Sequence, residues 1–244
     1  MPTDYARRLL AVERTAEGNA HLGWMLAFVA GATNAGGFVA VQQYTSHMTG
    51  MVSAAADSLV LGQPQAVVTA LGALLFFMTG AATTAVLVNL GRQRQARSIF
   101  ALPLLLESVC LLVFGLMGAW LASLHALFVP ATVSVLCFTM GLQNALITKV
   151  SRAEIRTTHV TGIVTDIGIE IGRALYGMGG TPVAINAGKL RLLGGLLLAF
   201  AVGGVAGAWA FKTIGYAASL PLAALLGFLG AVPALDDLGR ARPR

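Results

Sequence analysis

Two short polar strings carry the side chains of this chain that could do chemistry. Ser46-His47-Met48-Thr49-Gly50 returns 112 residues later as Thr158-His159-Val160-Thr161-Gly162. Each string joins two hydroxyls and an imidazole, which together can bind a polar solute, hold a metal ion or transfer a proton. The Thr-Gly end of each string is also suited to the start of a helix, because threonine caps free amides and glycine permits a close backbone approach.

Catalysis is the weaker interpretation of these strings. Ser46 and His47 are neighbours in sequence and point in different directions, and neither string contains an acid to orient its histidine. A metal site built from both histidines, Asp57 and Asp166 is conceivable, but no His-x-x-x-His spacing supports it. We therefore predict that the chain is not an enzyme and has no catalytic residue, cofactor or resident metal. An intramembrane hydrolase that uses Ser46 is a minor alternative.

The composition places the strings inside a membrane protein. The 244 residues are 57% hydrophobic and 11% charged, with a mean hydropathy of +0.78, and one water-soluble globule could not bury so much apolar surface. The net charge of +6 could suggest a nucleic-acid partner, but the Lys and Arg residues stand in short clusters between apolar runs. We expect the lipid bilayer, and no nucleic acid, as a partner.

Apolar runs predict an all-α fold with six transmembrane helices and two short half-helices. A span needs about 20 apolar residues, and six runs approach or exceed that length: 22–41, 66–90, 99–122, 129–148, 192–211 and 216–232. The pieces that follow the strings, 50–61 and 162–176, are shorter. The chain is divided into an N-terminal segment 1–21, a first membrane repeat 22–122, a second membrane repeat 129–232 and a polar tail 233–244, of which residues 236–244 are expected to fray.

Positive charge favours a count of six spans. If the two short pieces do not cross, the N-terminal segment, the cationic loops at 92–97 and 149–156 and the tail all lie on one side. Only Lys212 then lies on the other side, while Arg173 lies within a short piece. If both short pieces crossed, the two cationic loops would face outward, against the preference of Lys and Arg for cytoplasmic loops. We expect a multi-pass protein with both termini in the cytoplasm.

The strings belong to a longer internal repeat. The helix before each string carries Phe, Gly and Asn at one spacing: Phe28, Gly31 and Asn34, then Phe138, Gly141 and Asn144. The helix after each string carries a related pattern, Phe77-x-x-Gly80 and Phe200-x-x-Gly203. With six spans the two halves start from opposite sides of the membrane, which makes them inverted copies. Inverted repeats with broken helices place a site near the bilayer midplane.

We expect this site where the N-termini of the two half-helices meet from opposite sides. Free amides at such ends attract negative or carbonyl groups, and non-helical backbone at that depth must be buried or line a wet cavity. The candidate substrate-binding residues are Asn34, Ser46, His47, Thr49, Gly50, Asp57, Asn144, Thr158, His159, Thr161, Gly162 and Asp166. A structural role stays open for each: histidine can bond carbonyls where helices break, asparagine can join helices, and acids can bond amides.

Two further acids lie within apolar segments. Glu170 lies four residues after Asp166, a like-charge neighbour, and three residues before Arg173, which can offset it. This spacing favours a structural triad over a proton relay. Glu107 lies well inside a span, where an uncompensated charge is expensive, and has no counterpart in the other half. It is therefore protonated, paired or functional, and the sequence does not separate these possibilities.

The combination of motifs resembles the YoaK family of bacterial inner-membrane proteins. The resemblance rests on Ala30-Gly31-Ala32-Thr33-Asn34, on Met140-Gly141-Leu142-Gln143-Asn144 and on the two strings, and it covers about residues 22–232. It implies six spans, a bacterial inner-membrane location and an unknown function. The chain departs from the family at Asn34, where many relatives carry Asp, and at Met51, where Asn often follows the glycine.

Together these observations predict a small-molecule or ion transporter or channel, with a midplane site between the two half-helices. The alternative is a non-transporting membrane sensor or assembly partner in which the His-x-Thr-Gly strings are structural. The expected partners are the bilayer and an unknown small molecule or ion, and a homo-oligomer is compatible with a protein of this size.

Overall fold

The computed structural model describes residues 2–11, 15–120, 125–177 and 186–240, and the regular elements of this part are all helical. In chain order they are α1 (Pro2–Leu10), α2 (Ala16–Val41), α3 (Met48–Val60), α4 (Pro64–Gln93), α5 (Ala101–Trp120), α6 (His125–Val150), α7 (Val160–Gly177), α8 (Ala187–Ile214) and α9 (Ser219–Arg240). A 3-10 turn, Gly215–Ala218, separates α8 from α9. The expected all-α class is confirmed for the described residues.

Five stretches of the described chain are long and apolar enough to cross a membrane: Ala16–Val41, Pro64–Gln93, Ala101–Gly118, Pro130–Val150 and Ala187–Asp237. The last stretch contains both α8 and α9, which are separated at Gly215. This glycine has a φ of +62°, a conformation that residues with side chains rarely adopt. The architecture is compatible with a multi-pass membrane protein, and the short helices α3 and α7 are not among the five stretches.

Local signals in the sequence account for several helix ends. Thr15 caps α2 by accepting a hydrogen bond from the backbone N–H of Gly18 at 3.1 Å. Asn186 caps α8 in the same way through the N–H of Lys189 at 2.9 Å, and Pro64 occupies the first turn of α4. At the other end of α2, Gln42 adopts a left-handed conformation with a φ of +57°. This residue turns the chain away from the helix axis before the first polar string.

Two helix pairs touch backbone to backbone. On α2 and α8, a Cβ at Gly31 would collide with the carbonyl of Phe200, and a Cβ at Gly203 would collide with the carbonyl of Phe28. The pair α4 and α6 repeats this arrangement, with Gly80 over the carbonyl of Phe138 and Gly141 over the carbonyl of Phe77. The glycines of the Phe-x-x-Gly repeat are therefore required for close helix packing, which supplies dispersion contacts that lipid cannot replace.

The two pairs are each parallel. Along α2 and α8, the Trp24 Nε1–H donates to the carbonyl of Leu192 at 3.2 Å near one end, and Gly36 faces the ring of Phe211 near the other. Along α4 and α6, the Thr84 hydroxyl donates to the carbonyl of Leu142 at 3.0 Å. Farther along the same pair, Arg92 and Lys149, in the last turns of α4 and α6, line one cavity.

Helix α2 runs antiparallel to α6, which carries the same Phe, Gly and Asn pattern. Gly23, near the start of α2, lies against Ile155, which follows the end of α6. Gly37, near the end of α2, lies against Leu136 in the first half of α6. The helices that correspond in the sequence repeat therefore point in opposite directions.

Helices α5 and α9 form a third, antiparallel pair. The Ser108 hydroxyl donates to the carbonyl of Ala223 at 2.7 Å, and the Ser219 hydroxyl donates to the carbonyl of Leu111 at 2.9 Å. Gly115 admits the Ser219 side chain to the surface of α5. Bonds of this kind join two helices and give the serine hydroxyls a partner within an apolar interface.

Helices extend into both terminal segments within the described residues. The expected N-terminal segment 1–21 contains α1 and the start of α2, and α9 continues to Arg240, so residues 236–240 are helical where fraying was expected. The reason is a pair of acids on α9. Asp236 accepts from the Arg7 Nε–H at 2.6 Å, and Asp237 accepts from the backbone N–H groups of Arg97 and Ser98 at 3.2 and 3.1 Å. Residues 121–122 at the predicted end of the third run and residues 241–244 of the tail lie outside the described residues.

Replacing Gly31 or Gly141 by Ala is expected to lower the melting temperature of the purified protein in detergent. The new Cβ would meet a backbone carbonyl that cannot move alone, and overpacking of this kind costs about 1–3 kcal/mol. The matched controls are Gly72→Ala in α4 and Gly194→Ala in α8, where nothing lies within 4 Å of the added carbon. These two variants should melt at or above the wild-type temperature. Equal destabilisation of both sets would contradict the described crossings.

Candidate functional site

Each polar string is held by the asparagine of the long helix before it. The Asn34 Oδ1 accepts from the Ser46 hydroxyl at 2.8 Å and from the Ser46 backbone N–H at 3.3 Å. The Asn144 Oδ1 accepts from the Thr158 hydroxyl at 2.6 Å. The asparagines lie six or seven residues before the ends of α2 and α6, which is about 10 Å of helix. The chain therefore turns back toward the middle of the bundle before each short helix begins.

The histidines, and not the threonines, stand at the start of the short helices. His47 is the residue before α3, and its side chain makes no capping hydrogen bond. His159 precedes α7 in the same way, and the carbonyls of both histidines accept the first helical hydrogen bonds at 3.1 Å. The expectation that Thr49 and Thr161 act as caps is wrong, because both lie one residue inside the helix. The first amides of each helix are thus left without a side-chain cap from these threonines.

The glycine of each string makes room for the histidine ring. A Cβ on Gly50 would collide with the His47 imidazole, and a Cβ on Gly162 would collide with the His159 imidazole. The ring folds back over the first turn of the short helix in both copies. Glycine is therefore needed for the placement of histidine, a more specific reason than a general close approach of backbone.

The two copies show the same pattern of burial at corresponding positions. Thr45 and Thr157, which precede the strings, are buried, and the next hydroxyl residues, Ser46 and Thr158, are half-buried. The residues at which the chemistry was expected are accessible in both copies: His47, Thr49, His159 and Thr161. One side of each string thus packs against the bundle, while the imidazole and the second hydroxyl stay on the accessible surface.

Asp57 and Asp166, the candidate site acids of the two short helices, do not occupy corresponding positions. At the offset of 112 residues, Asp57 corresponds to Ile169, and Asp166 corresponds to Ala54. Asp57 is exposed, whereas the Asp166 carboxylate pairs with Lys189 of α8 at 3.4 Å. Asp57 and Asp166 therefore differ in both register and surroundings, and do not form a symmetric pair.

In the shared register of the two short helices, the buried polar position lies one residue after Asp57 and Ile169. Ser58 and Glu170 correspond at the same offset and are 8% and 1% exposed. The Glu170 carboxylate pairs with the Arg173 guanidinium at 2.8 Å and accepts from the backbone N–H of Asn186 at 3.3 Å. The Glu170–Arg173 pair of the expected triad is thus present, whereas Asp166 pairs with Lys189 instead. The hydrogen bond from Asn186 ties Glu170 to the start of α8.

The predicted site residues form two separate groups. Asn34, Ser46, His47 and Gly50 lie together in one group, and Asn144, Thr158, His159 and Gly162 lie together in the other. None of the side-chain hydrogen bonds and ion pairs that involve these residues joins the groups within the described part of the chain. The main packing partner of α3 is α4, and that of α7 is α8. Each short helix therefore packs mainly on the long helix that follows it in the chain.

Thr45 and Thr157 were missed by the sequence reasoning. Their side chains are fully buried, and the hydroxyl oxygen of each lacks a hydrogen-bond partner in the structure. A buried hydroxyl without a partner costs free energy unless water or a ligand supplies one. The signal was available in the sequence, since a threonine precedes both strings and extends the repeat by one residue.

A cavity of about 590 Å³ opens between α3, the start of α4 and Gln43, and the residues of the first string are not among those that line it. Its polar lining comes from Gln43, Ser58, Gln63, Gln65 and Thr69. This volume is in the range of small-molecule pockets. The corresponding region beside α7 includes residues outside the described ones.

The arrangement offers little for hydrolysis or metal binding. The Ser46 hydroxyl donates to Asn34, so its proton is directed toward an amide oxygen and not toward a base. Across the described ranges, no group of three or more His, Cys, Asp or Glu side chains is close enough to hold a metal ion. The accessible groups of the strings are hydroxyls and imidazoles, which can donate and accept hydrogen bonds.

Comparison with known proteins gives a family and no activity. A family described as "Protein of unknown function (DUF1275)" matches residues 22–232. No curated protein and no solved structure matches the chain. The matched range begins inside α2, ends inside α9 and includes both strings.

A double-mutant cycle on Asn144 and Thr158 should detect their hydrogen bond as an energetic coupling. Asn144→Ala and Thr158→Ala each remove the bond, so the double variant should be less destabilised than the sum of the single changes. The coupling is expected near 0.6 kcal/mol, about the average for hydrogen bonds between membrane helices. Thermal or chaotrope unfolding in detergent measures it. Thr165, whose hydroxyl bonds the carbonyl of Thr161 within α7, is the control partner, and its cycle with Asn144 should show no coupling.

Proposed function

The chain belongs to the DUF1275 family of proteins of unknown function, and from this premise we propose that it is a membrane transporter or channel for a small polar solute or ion. The observation that carries the proposal is the pair of strings turned back into the bundle, each with an accessible His and Thr and a clamped hydroxyl. A polar, non-helical segment at such depth is tolerated when it is buried or lines a wet cavity. The identification with the YoaK proteins and a bacterial inner membrane is part of this proposal.

The proposed topology has six spans with both termini in the cytoplasm. The fifth apolar stretch supplies two of them, since α8 and α9 contain 28 and 22 residues and pack on different helices, α2 and α5. The directions of the pairs support one cationic face. Parallel α4 and α6 put Arg92 and Lys149 at one end, and antiparallel α2 and α6 put the start of α2 at that end too. Lys189 and Arg191 at the start of α8 join them, while Lys212 stands at the opposite end.

The proposed architecture is an inverted repeat. The first half contains α2 to α5 and the second half α6 to α9, and corresponding helices α2 and α6 run in opposite directions. Each contact in one half has a counterpart in the other. The contact between α2 and α8 corresponds to that between α6 and α4, and the hydrogen bond between Asn34 and Ser46 corresponds to that between Asn144 and Thr158. In such folds the solute site lies where the broken helices of the two halves face each other.

The solute path is proposed to pass both strings, with one string accessible from each side of the membrane. In each copy, the imidazole and the threonine hydroxyl offer donors and acceptors, and the first amides of the short helix add partial positive charge. Because α3 and α7 pack on different long helices, the solute would meet the two strings in succession unless the halves move together. That movement is the alternating access expected of an inverted repeat.

The alternative function is a sensor or assembly partner that transports nothing. The observation that favours it is the exposure of apolar side chains on the short helices: Val52 at 55%, Leu59 at 71% and Val60 at 87% on α3, and Leu175 at 64% on α7. Bilayer lipid, a second copy of this chain or another membrane protein could cover this surface.

Cysteine labelling tests whether the strings face water and from which side. In a chain with Cys110 and Cys137 replaced by Ser, Thr49→Cys should react with a membrane-impermeant maleimide only from the periplasmic side, and Thr161→Cys only from the cytoplasmic side. Val205→Cys is the control, since Val205 is 73% exposed on α8 and should face lipid, where a water-soluble reagent does not react. Failure of both string cysteines to react, or reaction from the same side, would contradict the proposal.

Flux through proteoliposomes tests transport directly. A panel of small metabolites and inorganic ions should contain at least one solute that the wild-type protein moves faster than empty vesicles do. The double variant His47→Ala, His159→Ala should reduce this flux at least tenfold, because the exposed imidazole is lost from both halves. His21→Ala is the matched control, as His21 lies near the start of α2 beside Trp24 and outside the strings. Absence of flux together with a stoichiometric co-purifying partner would support the alternative instead.

A further inference from the structure

Two glutamates of the described chain have almost no exposed surface, and their surroundings are opposite in kind. Glu170 is 1% exposed and has a cation partner in Arg173 at 2.8 Å. Glu107 is 0% exposed, and none of the described residues forms an ion pair with it. An isolated carboxylate within an apolar bundle carries a large desolvation cost, whereas a neutral carboxylic acid does not.

The polar partner of Glu107 is the amide of Gln143. The Gln143 Nε2 donates to the Glu107 Oε1 at 2.8 Å, across the contact between α5 and α6. This bond leaves two buried oxygens without partners, the Glu107 Oε2 and the Gln143 Oε1. Both are acceptors when the acid is ionised, so they cannot satisfy each other.

One proton on the Glu107 Oε2 removes both deficits. The carboxylic acid then offers one donor and one acceptor, and the Gln143 amide offers the complementary donor and acceptor. The two groups can close a ring of two hydrogen bonds, with Nε2–H to Oε1 and Oε2–H to the amide oxygen. An ionised Glu107 would instead leave both oxygens unpaired in a site that is closed to solvent.

The groups around this pair do not offer another source of charge. Thr139, one turn before Gln143, uses its hydroxyl on the carbonyl of Val135, and Cys110 lies one turn along α5 from Glu107. Where the structure describes the side chains of the elements packed against α5, Cys137 is a buried thiol in the middle of α6. The other titratable and charged groups stand near the ends of their elements: Arg92 on α4, Lys149 on α6, Tyr216 on the 3-10 turn, and Asp236 and Asp237 on α9.

The pair is connected to one of the strings through α6. Gln143 bonds Glu107 on α5, and the next residue, Asn144, bonds Thr158 ahead of α7. A movement of α6 that alters the hydrogen bond between Asn144 and Thr158 therefore also moves the Gln143 amide that bonds Glu107. The other half lacks this arrangement, because Gln143 corresponds to Thr33, whose buried hydroxyl has no partner.

We propose that Glu107 is held as a neutral carboxylic acid by Gln143 and is the protonation site of the membrane core, which makes H⁺ the ion coupled to transport. The coupling rests on the proposed function, while the protonated resting state does not. When α5 and α6 separate, the two hydrogen bonds between Glu107 and Gln143 break. The Oε2–H bond of Glu107 then breaks, its proton passes to water, and a hydrated carboxylate remains. Return of the helices requires the proton to be taken up again, which links the two conformations to H⁺.

Infrared spectroscopy of the purified chain tests the protonated state. At neutral pH in an ester-free detergent, the wild-type protein should absorb above the amide I band, where protonated carboxyl groups absorb. Uniform ¹³C labelling of glutamate should shift this band without any substitution, which assigns it to a Glu and avoids variants that fail to fold. Glu107→Gln should abolish the band, and Glu170→Gln, the matched change at the ion-paired glutamate, should retain it. Gln143→Leu should retain the band and move it to higher frequency, because the acid loses its amide partner.

Identical wild-type and Glu107→Gln spectra in this region would overturn the proposal, as they would show an ionised Glu107. The coupling has its own measurement in proteoliposomes: an imposed pH gradient should drive wild-type solute flux, and flux by Glu107→Gln should be indifferent to the gradient. Gradient-driven flux that survives in Glu107→Gln would overturn the coupling. A Glu107 band in a chain that moves no solute would contradict the transport function and support the protonation site.

Discussion

Backbone contact between helices at four glycines is the constraint on which this structure depends. In a bilayer the hydrophobic effect does not bring helices together, so close approach must come from packing of small residues. Gly31 and Gly203 allow α2 to meet α8, and Gly80 and Gly141 allow α4 to meet α6. The position of each crossing sets the depth of everything attached to these helices, including the asparagine that lies one turn beyond each glycine of α2 and α6.

The polar strings are a consequence of that placement. Asn34 and Asn144 present amide oxygens inside the bundle, and such groups need partners where water is scarce. The Ser46 and Thr158 hydroxyls supply them, which draws the following chain back from the ends of α2 and α6. The histidine then folds over its glycine, and the short helix begins at the same point in both copies. Fold and candidate site thus arise from one series of contacts.

The two halves share this scaffold and differ in their charges. The second half has Asp166 with Lys189 and Glu170 with Arg173, while the corresponding residues of α3 are Ala54 and Ser58. Only the first half contributes a glutamate to the contact between α5 and α6. If the protein works by exchanging two inverted conformations, these differences are what make the conformations unequal in energy. The proposed proton on Glu107 would change this energy difference. The two hydrogen bonds that protonated Glu107 forms with Gln143 favour the conformation in which α5 packs on α6.

The sequence by itself determined the helical class, the apolar stretches and the repeated residues, because these depend on composition, length and periodicity along one chain. It also marked Asn34, Asn144 and both strings as a set, and the structure brings each asparagine to its own string. It could not determine that the threonines lie inside the short helices, that Asp57 and Asp166 are out of register, or that Asp236 and Asp237 order the tail. Nor could it find the partner of Glu107, because Gln143 is 36 residues away and meets it only when α5 packs on α6. Those outcomes rest on distances between helices, which packing sets and residue spacing does not.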